Sequence, residues 1–492
     1  MKVMKINIAQ KCREFYTKTK ALLVPPKGLH QADVFVIWGI MAFFFFWFVT
    51  WDCVITSSQS YAYLEGHIID FSSYNRAVTG THINYLQPMY LIFALWNLPL
   101  KLFGLTTNQC EENIGLLSAA EITWVKLLVV VFFAVCAVTV YKIALLIASK
   151  EKLAKLSMFL FASSPLTIFT IFAFGAYDIF GVTFTMLGLY AFLRHKRWQF
   201  MLWFSLALPL KFFAFLPFLP LLLLDEKNAW KILRSLLVVI APTLACFAWF
   251  LLDQGSTPLL LLGDLGISSL DLGSWMKPSV FALAYLAVCL FAYFKCVDDD
   301  RRQRQKYAIM LPLAGLSLIF VCTFWHHQWI ILLTPWLALA FLFSPNKTYS
   351  LLFETAGIAA MFMRLLNSHA RVPANLLQNY WLDPSGFYYV DSPFKSLQHF
   401  LQAGIFFVGA IIPNGLLPYI DAAILGFLLS PFLLMLLERK KIIWPIPRMF
   451  KTEAGYLRLR CYGGMAAFFL PIVATSVLYI WLPDLFEKIA TF

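Results

Sequence analysis

Two carboxylates in this chain stand next to long apolar runs, where a charged side chain needs an explanation. Asp52 directly follows the first such run, so it is either a general base at the end of a helix or a plain helix-end acid. Asp178 closes the short segment 175–178 (Gly-Ala-Tyr-Asp) between two apolar runs. It either caps the second helix through the helix dipole, or orients a phosphate-bearing ligand, or binds a divalent cation such as Mg²⁺ or Mn²⁺.

Lys211 and a cluster of three polar residues are the other groups that could do chemistry. Lys211 lies in Leu-Pro-Leu-Lys-Phe-Phe (208–213), where it either snorkels toward water or binds a phosphate as a point charge. His326, His327 and Gln328 separate two further apolar runs and are flanked by tryptophans. This cluster is either a metal site or an interfacial anchor.

The elements that position these residues are membrane-spanning helices. Of the 492 residues 61% are hydrophobic and only 13% are charged, about half the charged fraction of a soluble protein. A spanning helix needs roughly 20 mainly apolar residues. The pattern therefore predicts an all-α, polytopic transmembrane helical bundle of about thirteen spans, at 33–50, 121–147, 157–174, 177–193, 198–213, 214–224, 231–252, 279–296, 307–323, 328–343, 348–366, 416–437 and 462–482.

Two features refine this pattern. The pair at 198–224 is short and proline-rich, and is predicted to form two half-helices meeting at a tip. The stretches 86–104 and 397–412 are predicted to lie on the membrane surface, as is a short amphipathic helix at 61–71.

Lysine and arginine are concentrated in alternate loops, which predicts the orientation of the chain. With the basic segment 1–32 in the cytoplasm, the basic loops 149–156, 295–306 and 438–460 also fall inside. The outside loops then include 51–120 and 367–415 and hold few basic residues. The net charge of +13 is spread over these loops, which argues against nucleic-acid binding. Cys53 and Cys110 would share the first outside loop, where they could pair as a disulfide.

Four segments resemble those of the C-type, multi-spanning glycosyltransferases that use a polyprenyl-phosphate sugar. That family includes bacterial enzymes and the mannosyltransferase of the glycosylphosphatidylinositol pathway. The resemblance covers roughly 33–343, with 344–492 as a separate C-terminal transmembrane segment. The chain departs from the family's pattern in two places: a single Asp52 stands where the family has paired acids, and Ala176 stands where the family has a Gln. The similar segments are Asp52 with 64–71, Asn-Tyr-Leu-Gln-Pro-Met-Tyr at 84–90, Gly-Ala-Tyr-Asp-Ile-Phe at 175–180, and Leu-Pro-Leu-Lys-Phe-Phe at 208–213 followed by 326–336.

The resemblance implies transfer of a sugar from a lipid-phosphate donor to a lipid-linked or cell-envelope glycan on the extracytoplasmic side. Asp52 would deprotonate the acceptor. Lys211, with His326, His327 and Gln328, would hold the donor phosphate, and Asp178 would orient that site or bind a metal. The acceptor cleft would be shaped by Tyr61, Glu65 and Arg371, with Asp383 nearby.

Two other function classes compete with this reading. A transporter or flippase of lipid-linked saccharides would carry ionisable residues in the middle of several spans, and this chain has few, namely Lys126, Lys142 and Arg364. A polysaccharide polymerase or ligase would be expected to show a large arginine-rich outside loop, whereas 367–395 contains only Arg371.

Overall fold

The computed structural model describes residues 30–79, 83–106, 117–253, 278–297, 300–322, 326–367, 416–439, 453–466 and 470. The elements with defined bounds in this part of the chain are all helical, which confirms the all-α prediction at that level. The first nine helices are α1 Gln31–Trp47, α2 Trp51–Gln59, α3 Tyr61–Leu64, α4 Phe71–Thr79, α5 Gln87–Leu102, α6 Ala119–Ala148, α7 Glu151–Ala162, α8 Pro165–Ile168 and α9 Ile179–Leu193.

The second half continues in the same way. Short 3₁₀ and π segments occur at several breaks along the whole described chain, namely Phe169–Ala173 after α8, Phe212–Ala214, His327–Leu332, Phe341–Phe343 and Leu459–Gly463. The helices are α10 Arg197–Leu210, α11 Phe215–Asp225, α12 Ala229–Leu252, α13 Pro278–Phe294, α14 Arg301–Cys322, α15 Thr334–Ala340, α16 Lys347–Asn367, α17 Leu417–Arg439 and α18 Glu453–Arg458.

Four described helices are long and apolar enough to cross a membrane, which indicates a membrane protein. They are α6, α12, α14 and most of α17, and α7 with the segment Pro165–Ala173 makes a fifth if that pair, bent by 50°, is one span. The other apolar helices of the described part have 10–17 residues, fewer than a full crossing needs. The structure therefore accounts for four or five spans by this measure, and not for the thirteen predicted.

The segment 198–224 consists of two short helices, as predicted. Helix α10 ends at Leu210, Lys211 is extended (φ −154°, ψ 114°), and α11 begins at Phe215 after one 3₁₀ turn. Pro217 lies in the first turn of α11, a position where its missing N–H would have no partner within the helix. The side chain of Lys211 consequently projects from a helix end.

The predicted amphipathic helix over 61–71 is wrong in extent. Helix α3 ends at Leu64, and Gly66 adopts φ +99°, a conformation that side-chain-bearing residues rarely adopt, so the chain turns there. A separate helix, α4, follows. The stretch 86–104 is largely helical, as α5, and its predicted place on the membrane surface stays a prediction.

Asp253, at the end of α12, fixes the start of α4. Its carboxylate accepts hydrogen bonds from the main-chain N–H of Ser72 and from the N–H and hydroxyl of Ser73, the last at 2.7 Å. These N–H groups have no partner within their own helix. The loop helices are thereby attached to the end of a long apolar helix.

Lys126 of α6 joins the end of α1 to the segment after α8. Its side chain is fully buried, and its Nζ donates to the carbonyl oxygens of Phe44 (3.1 Å), Phe45 (2.5 Å), Phe48 and Phe172 (2.7 Å). A cation satisfies the unpaired carbonyls at a helix C-terminus. This contact holds the chain immediately before Asp52 in place.

A second set of ion pairs lies at the far ends of α9 and α11. Arg304 pairs with Asp225 (2.6 Å) and contacts His195 (2.7 Å), and Arg197 pairs with Glu226 (2.6 Å). Helices α9 and α11 run from the end of the bundle that carries Asp52 and Lys211 to this second end. The two charge clusters therefore lie at opposite ends of these helices.

Candidate functional site

The segment 174–178 is packed directly against the start of α2. The hydroxyl of Thr50 donates to the carbonyl of Phe174 at 2.8 Å. Gly175 has φ +71°, and a Cβ there would lie 3.4 Å from the Sγ of Cys53. Glycine is thus favoured by the backbone conformation, whereas a Cβ would meet Cys53 only at van der Waals distance. These contacts bring Asp52 and Asp178, distant in sequence, to the same end of the bundle.

Asp52 is half-buried in the first turn of α2 and interacts with three groups that the fold brings to it. The phenol of Tyr177 is one of them, and the charged groups of Asp178 and Lys211 are the others. Desolvation by burial raises the pKa of Asp52 to about 6; the nearby phenol of Tyr177 and the charge of Lys211 lower this pKa, whereas the charge of Asp178 raises it. A carboxylate with a pKa close to neutrality is suited to accept a proton.

Asp178 forms an ion pair with Lys211, and both side chains are buried, at 2% and 8% exposure. Asp178 is the N-cap residue of α9, but its side chain accepts no capping hydrogen bond from that helix. The carboxylate is therefore directed at the lysine rather than at its own helix. The sequence left capping and orientation open, and this geometry favours orientation.

Aromatic rings surround the ammonium group of Lys211. Its Nζ lies 5.1 Å from the ring centroid of Tyr85, 5.5 Å from that of Trp329 and 5.9 Å from that of Phe213, within the range of cation–π attraction. A small open pocket reaches this group between the segments 84–86 and 209–213, and its empty space of about 390 Å³ includes open solvent. Its lining combines a cation with apolar walls, which is the chemistry of a site for an amphiphilic anion.

The polar cluster after α14 is only partly defined. His326 is exposed on one side and packs edge-on against Trp329, with ring centroids 4.9 Å apart. Partial loss of water around the ring, with the nearby charge of Lys211, lowers the pKa of His326 and favours neutral imidazole. Gln328 is half-buried. The side chain of His327 lies outside the described residues.

The described residues do not fit a divalent metal ion. They contain no group of three or more His, Cys, Asp or Glu side chains arranged to hold one. The carboxylate of Asp178 is occupied by Lys211, whose positive charge takes the place a cation would need. We therefore derive no chemical step through a metal.

The structure describes two of the three predicted acceptor-cleft residues, Tyr61 and Glu65. Tyr61 is buried, and Glu65 is exposed and accepts a hydrogen bond from the hydroxyl of Tyr74 at 3.1 Å. Arg371 and Asp383 lie outside the described residues, as does Cys110, while Cys53 is a buried free thiol. Their roles in an acceptor cleft stay predictions.

The sequence analysis did not single out Tyr177 and Tyr85. The two rings meet edge-on at 5.1 Å, and the hydroxyl of Tyr177 lies 3.0 Å from that of Thr56. Burial beside the carboxylates of Asp52 and Asp178 raises the pKa of Tyr85 well above its usual value. The sequence marked these two residues only by their positions, because Tyr177 adjoins Asp178 and Tyr85 precedes α5.

These residues form one connected site at the ends of α1, α9 and α10. The charged pair, the half-buried carboxylate and the phenol of Tyr177 lie near one another there, and the pocket opens onto the lysine. Comparison of the chain with protein-family models, with curated proteins and with solved structures finds no match, so the function must be argued from this site.

Proposed function

We propose that the protein is a membrane glycosyltransferase that moves a sugar from a polyprenyl-phosphate donor to a glycan or glycolipid acceptor. One observation carries the proposal. A half-buried carboxylate with a raised pKa stands beside a lysine whose ammonium group faces an open, aromatic-walled pocket. A base and a phosphate-binding cation are the two groups that such a reaction needs side by side.

In the proposed reaction, Asp52 accepts the proton of the acceptor hydroxyl as its oxygen attacks the anomeric carbon. The bond from that carbon to the phosphate oxygen breaks, and the lipid phosphate leaves with one more negative charge than it carried in the donor. Lys211 stabilises this developing charge through N–H groups not used by Asp178. Asp178 positions the lysine and touches no reacting atom.

Apolar surroundings suit the donor. The pocket is lined by Pro209, Leu210, Phe212 and Phe213 on one side, so the first isoprene units of a lipid have apolar surface to contact. Lipids of the membrane would supply the remaining contacts. A water-soluble nucleotide sugar would need polar groups for its base and ribose, and among the described residues Asn84 is the single amide side chain that lines this pocket.

The architecture we propose for this enzyme is the C-type arrangement, in which the shorter apolar helices also cross the membrane. The cytoplasmic end then carries Arg304, Arg197 and the other basic loop residues, as the positive-inside rule requires. The Asp52 end faces the extracytoplasmic side of the cell membrane, and sugar transfer to a cell-envelope or lipid-linked acceptor takes place there.

A flippase or transporter is less well supported. Such proteins use ionisable residues within the bilayer to bind and release their cargo. In the described part of the chain the deeply buried cations have structural partners. Lys126 donates to four main-chain carbonyls, and Arg460 pairs with Glu354 and donates to the carbonyl of Leu160.

The test is sugar transfer in membranes from cells that express the chain. A panel of labelled polyprenyl-phosphate hexoses and pentoses is offered, and incorporation into glycan or glycolipid is measured. Asp52→Asn should lower the transfer rate by about 10²–10⁴-fold, because general-base catalysis is lost while shape is kept. Lys211→Met should weaken binding of polyprenyl phosphate alone, measured with the purified protein.

Two variants serve as matched controls. Asp70→Asn neutralises an exposed acid of the same loop, and Lys142→Met removes an exposed lysine of α6; both should leave transfer unchanged. Transfer at a normal rate by a folded Asp52→Asn protein would remove the assigned base. If the wild-type chain transferred sugar from none of the donors in the panel, the proposed function would be refuted.

A further inference from the structure

Three cations at the end of the bundle opposite the candidate site lack partners among the described residues. The exposed side chains of Lys196, Lys231 and Arg234 form no hydrogen bond or ion pair with that part of the chain. Lys231 lies near Glu226, but Arg197 already binds that carboxylate at 2.6 Å. The positive charge of the three side chains is therefore available to an anion from outside the described chain.

Two neighbouring helices at this end, α10 and α12, each present an exposed apolar strip. Both strips begin at a tryptophan and continue at helical spacing, with Trp198, Leu202 and Leu206 on α10, and Trp230, Leu233, Leu237 and Leu244 on α12. The starts of the two helices are joined, because the guanidinium group of Arg197 donates to the hydroxyl of Ser235 at 3.0 Å. Since α12 is long and apolar enough to cross a membrane, lipid is what covers these strips.

We propose that the starts of α10 and α12 bind an anionic phospholipid. Lys196, Lys231 and Arg234, here called the basic patch, contact its phosphate group, and its acyl chains lie along the two strips. Arg234 follows Trp230 by four residues, so the two side chains share one face of α12. Tryptophan is enriched at the level of lipid headgroups, which places the basic patch at the depth of the phosphates.

A phospholipid fits this surface better than a free anion does. A free anion would contact the cations alone, whereas a phospholipid uses both the basic patch and the exposed leucines beside it. With the orientation proposed above, the lipid belongs to the cytoplasmic leaflet, whose surface potential is negative. The inference does not depend on sugar transfer, because no residue of the basic patch belongs to the candidate site.

The experiment is lipid titration of the purified, full-length protein in a neutral detergent, with bound lipids counted by native mass spectrometry. The probes are dioleoylphosphatidylglycerol, which is anionic, and dioleoylphosphatidylcholine, which has no net charge. The triple variant Lys196→Gln, Lys231→Gln and Arg234→Gln neutralises the basic patch on exposed positions and keeps its polarity. Binding of phosphatidylglycerol should weaken about fivefold for each cation, and about 10²-fold for all three, while binding of phosphatidylcholine stays unchanged.

A second triple variant, Lys150→Gln, Lys152→Gln and Arg302→Gln, is the matched control. It removes three exposed cations from the starts of α7 and α14 at the same end of the bundle, where the described residues of those two helices expose no large hydrophobic side chain. Its affinity for phosphatidylglycerol should equal that of the wild type. An equal loss in both variants would mean general attraction by charge and would overturn the inference.

Two other results would also overturn it. One is unchanged binding of phosphatidylglycerol by the variant that lacks the basic patch. The other is displacement of the lipid from the wild type by inorganic phosphate at the same concentration, because the apolar strips would then contribute nothing. Neither result bears on Asp52 or Lys211, so failure of this inference leaves the proposed function untouched.

Discussion

Replacing Lys126 by methionine is the sharpest test of how the Asp52 end is assembled. The substitution keeps most of the side-chain volume and removes the ammonium group. Three N–H donors are shared among the carbonyl oxygens of Phe44, Phe45, Phe48 and Phe172, and the residue is fully buried. After the change, these oxygens lose a charged partner in a region without water.

The expected magnitude follows from two opposing effects. A buried carbonyl left without a partner costs about 1–3 kcal/mol, and several carbonyls are affected, although main-chain donors within α1 still serve some of them. Removing the ammonium group also removes its desolvation penalty, which is several kcal/mol. Loss of one member of a buried charged network usually destabilises by about 3–5 kcal/mol, and we expect Lys126→Met to fall near the lower end.

The assay is reversible unfolding of the purified protein in mixed micelles, with Lys142→Met as the control on the same helix. Lys142 is exposed, so its replacement should change the free energy of unfolding by less than about 0.5 kcal/mol. If Lys126→Met were as stable as this control, the carbonyl contacts would contribute nothing, and the reasoning about the end of α1 would be refuted.

Two further predictions concern other contacts at the same end. Asp178→Asn leaves Lys211 buried without its counter-charge and should destabilise the protein by about 3–5 kcal/mol. The double variant with Lys211→Met should lose much less stability than the sum of the single changes, and additive free energies of unfolding would contradict the ion pair. Asp253→Ala removes the acceptor for Ser72 and Ser73 at the start of α4 and should destabilise that helix by about 1 kcal/mol, seen as faster proteolysis within 71–79; an unchanged cleavage rate would contradict the capping role.

Helix type and the location of the principal charged residues were predictable because both depend on local sequence. Apolar runs of the length of α6 and α12 form helices wherever water is excluded, since each backbone group is satisfied within the run. Asp52, Asp178 and Lys211 stand out for the same reason, as isolated charges at the borders of such runs. The two short helices within 198–224 were likewise predictable, because that run is short and proline-rich.

Helix length and the extent of the loop helices were less predictable. Periodicity across 61–71 continues through Gly66, but the positive φ of that residue ends the helix. Hydropathy likewise measures how apolar a run is, and not how many residues of it will be helical. The run at 328–343 illustrates this, because it divides into a 3₁₀ segment, α15 and a second 3₁₀ segment instead of one long helix.

The sequence by itself determined that the chain is a helical, predominantly apolar protein, and which few residues are too polar for their surroundings. Only the tertiary structure decided the partners of those residues: that Asp178 binds Lys211 instead of capping α9, and that Lys126 holds the end of α1. The physical reason is distance along the chain. Local patterns record what each residue prefers, whereas the energy of a buried charge depends on groups that folding brings from other helices.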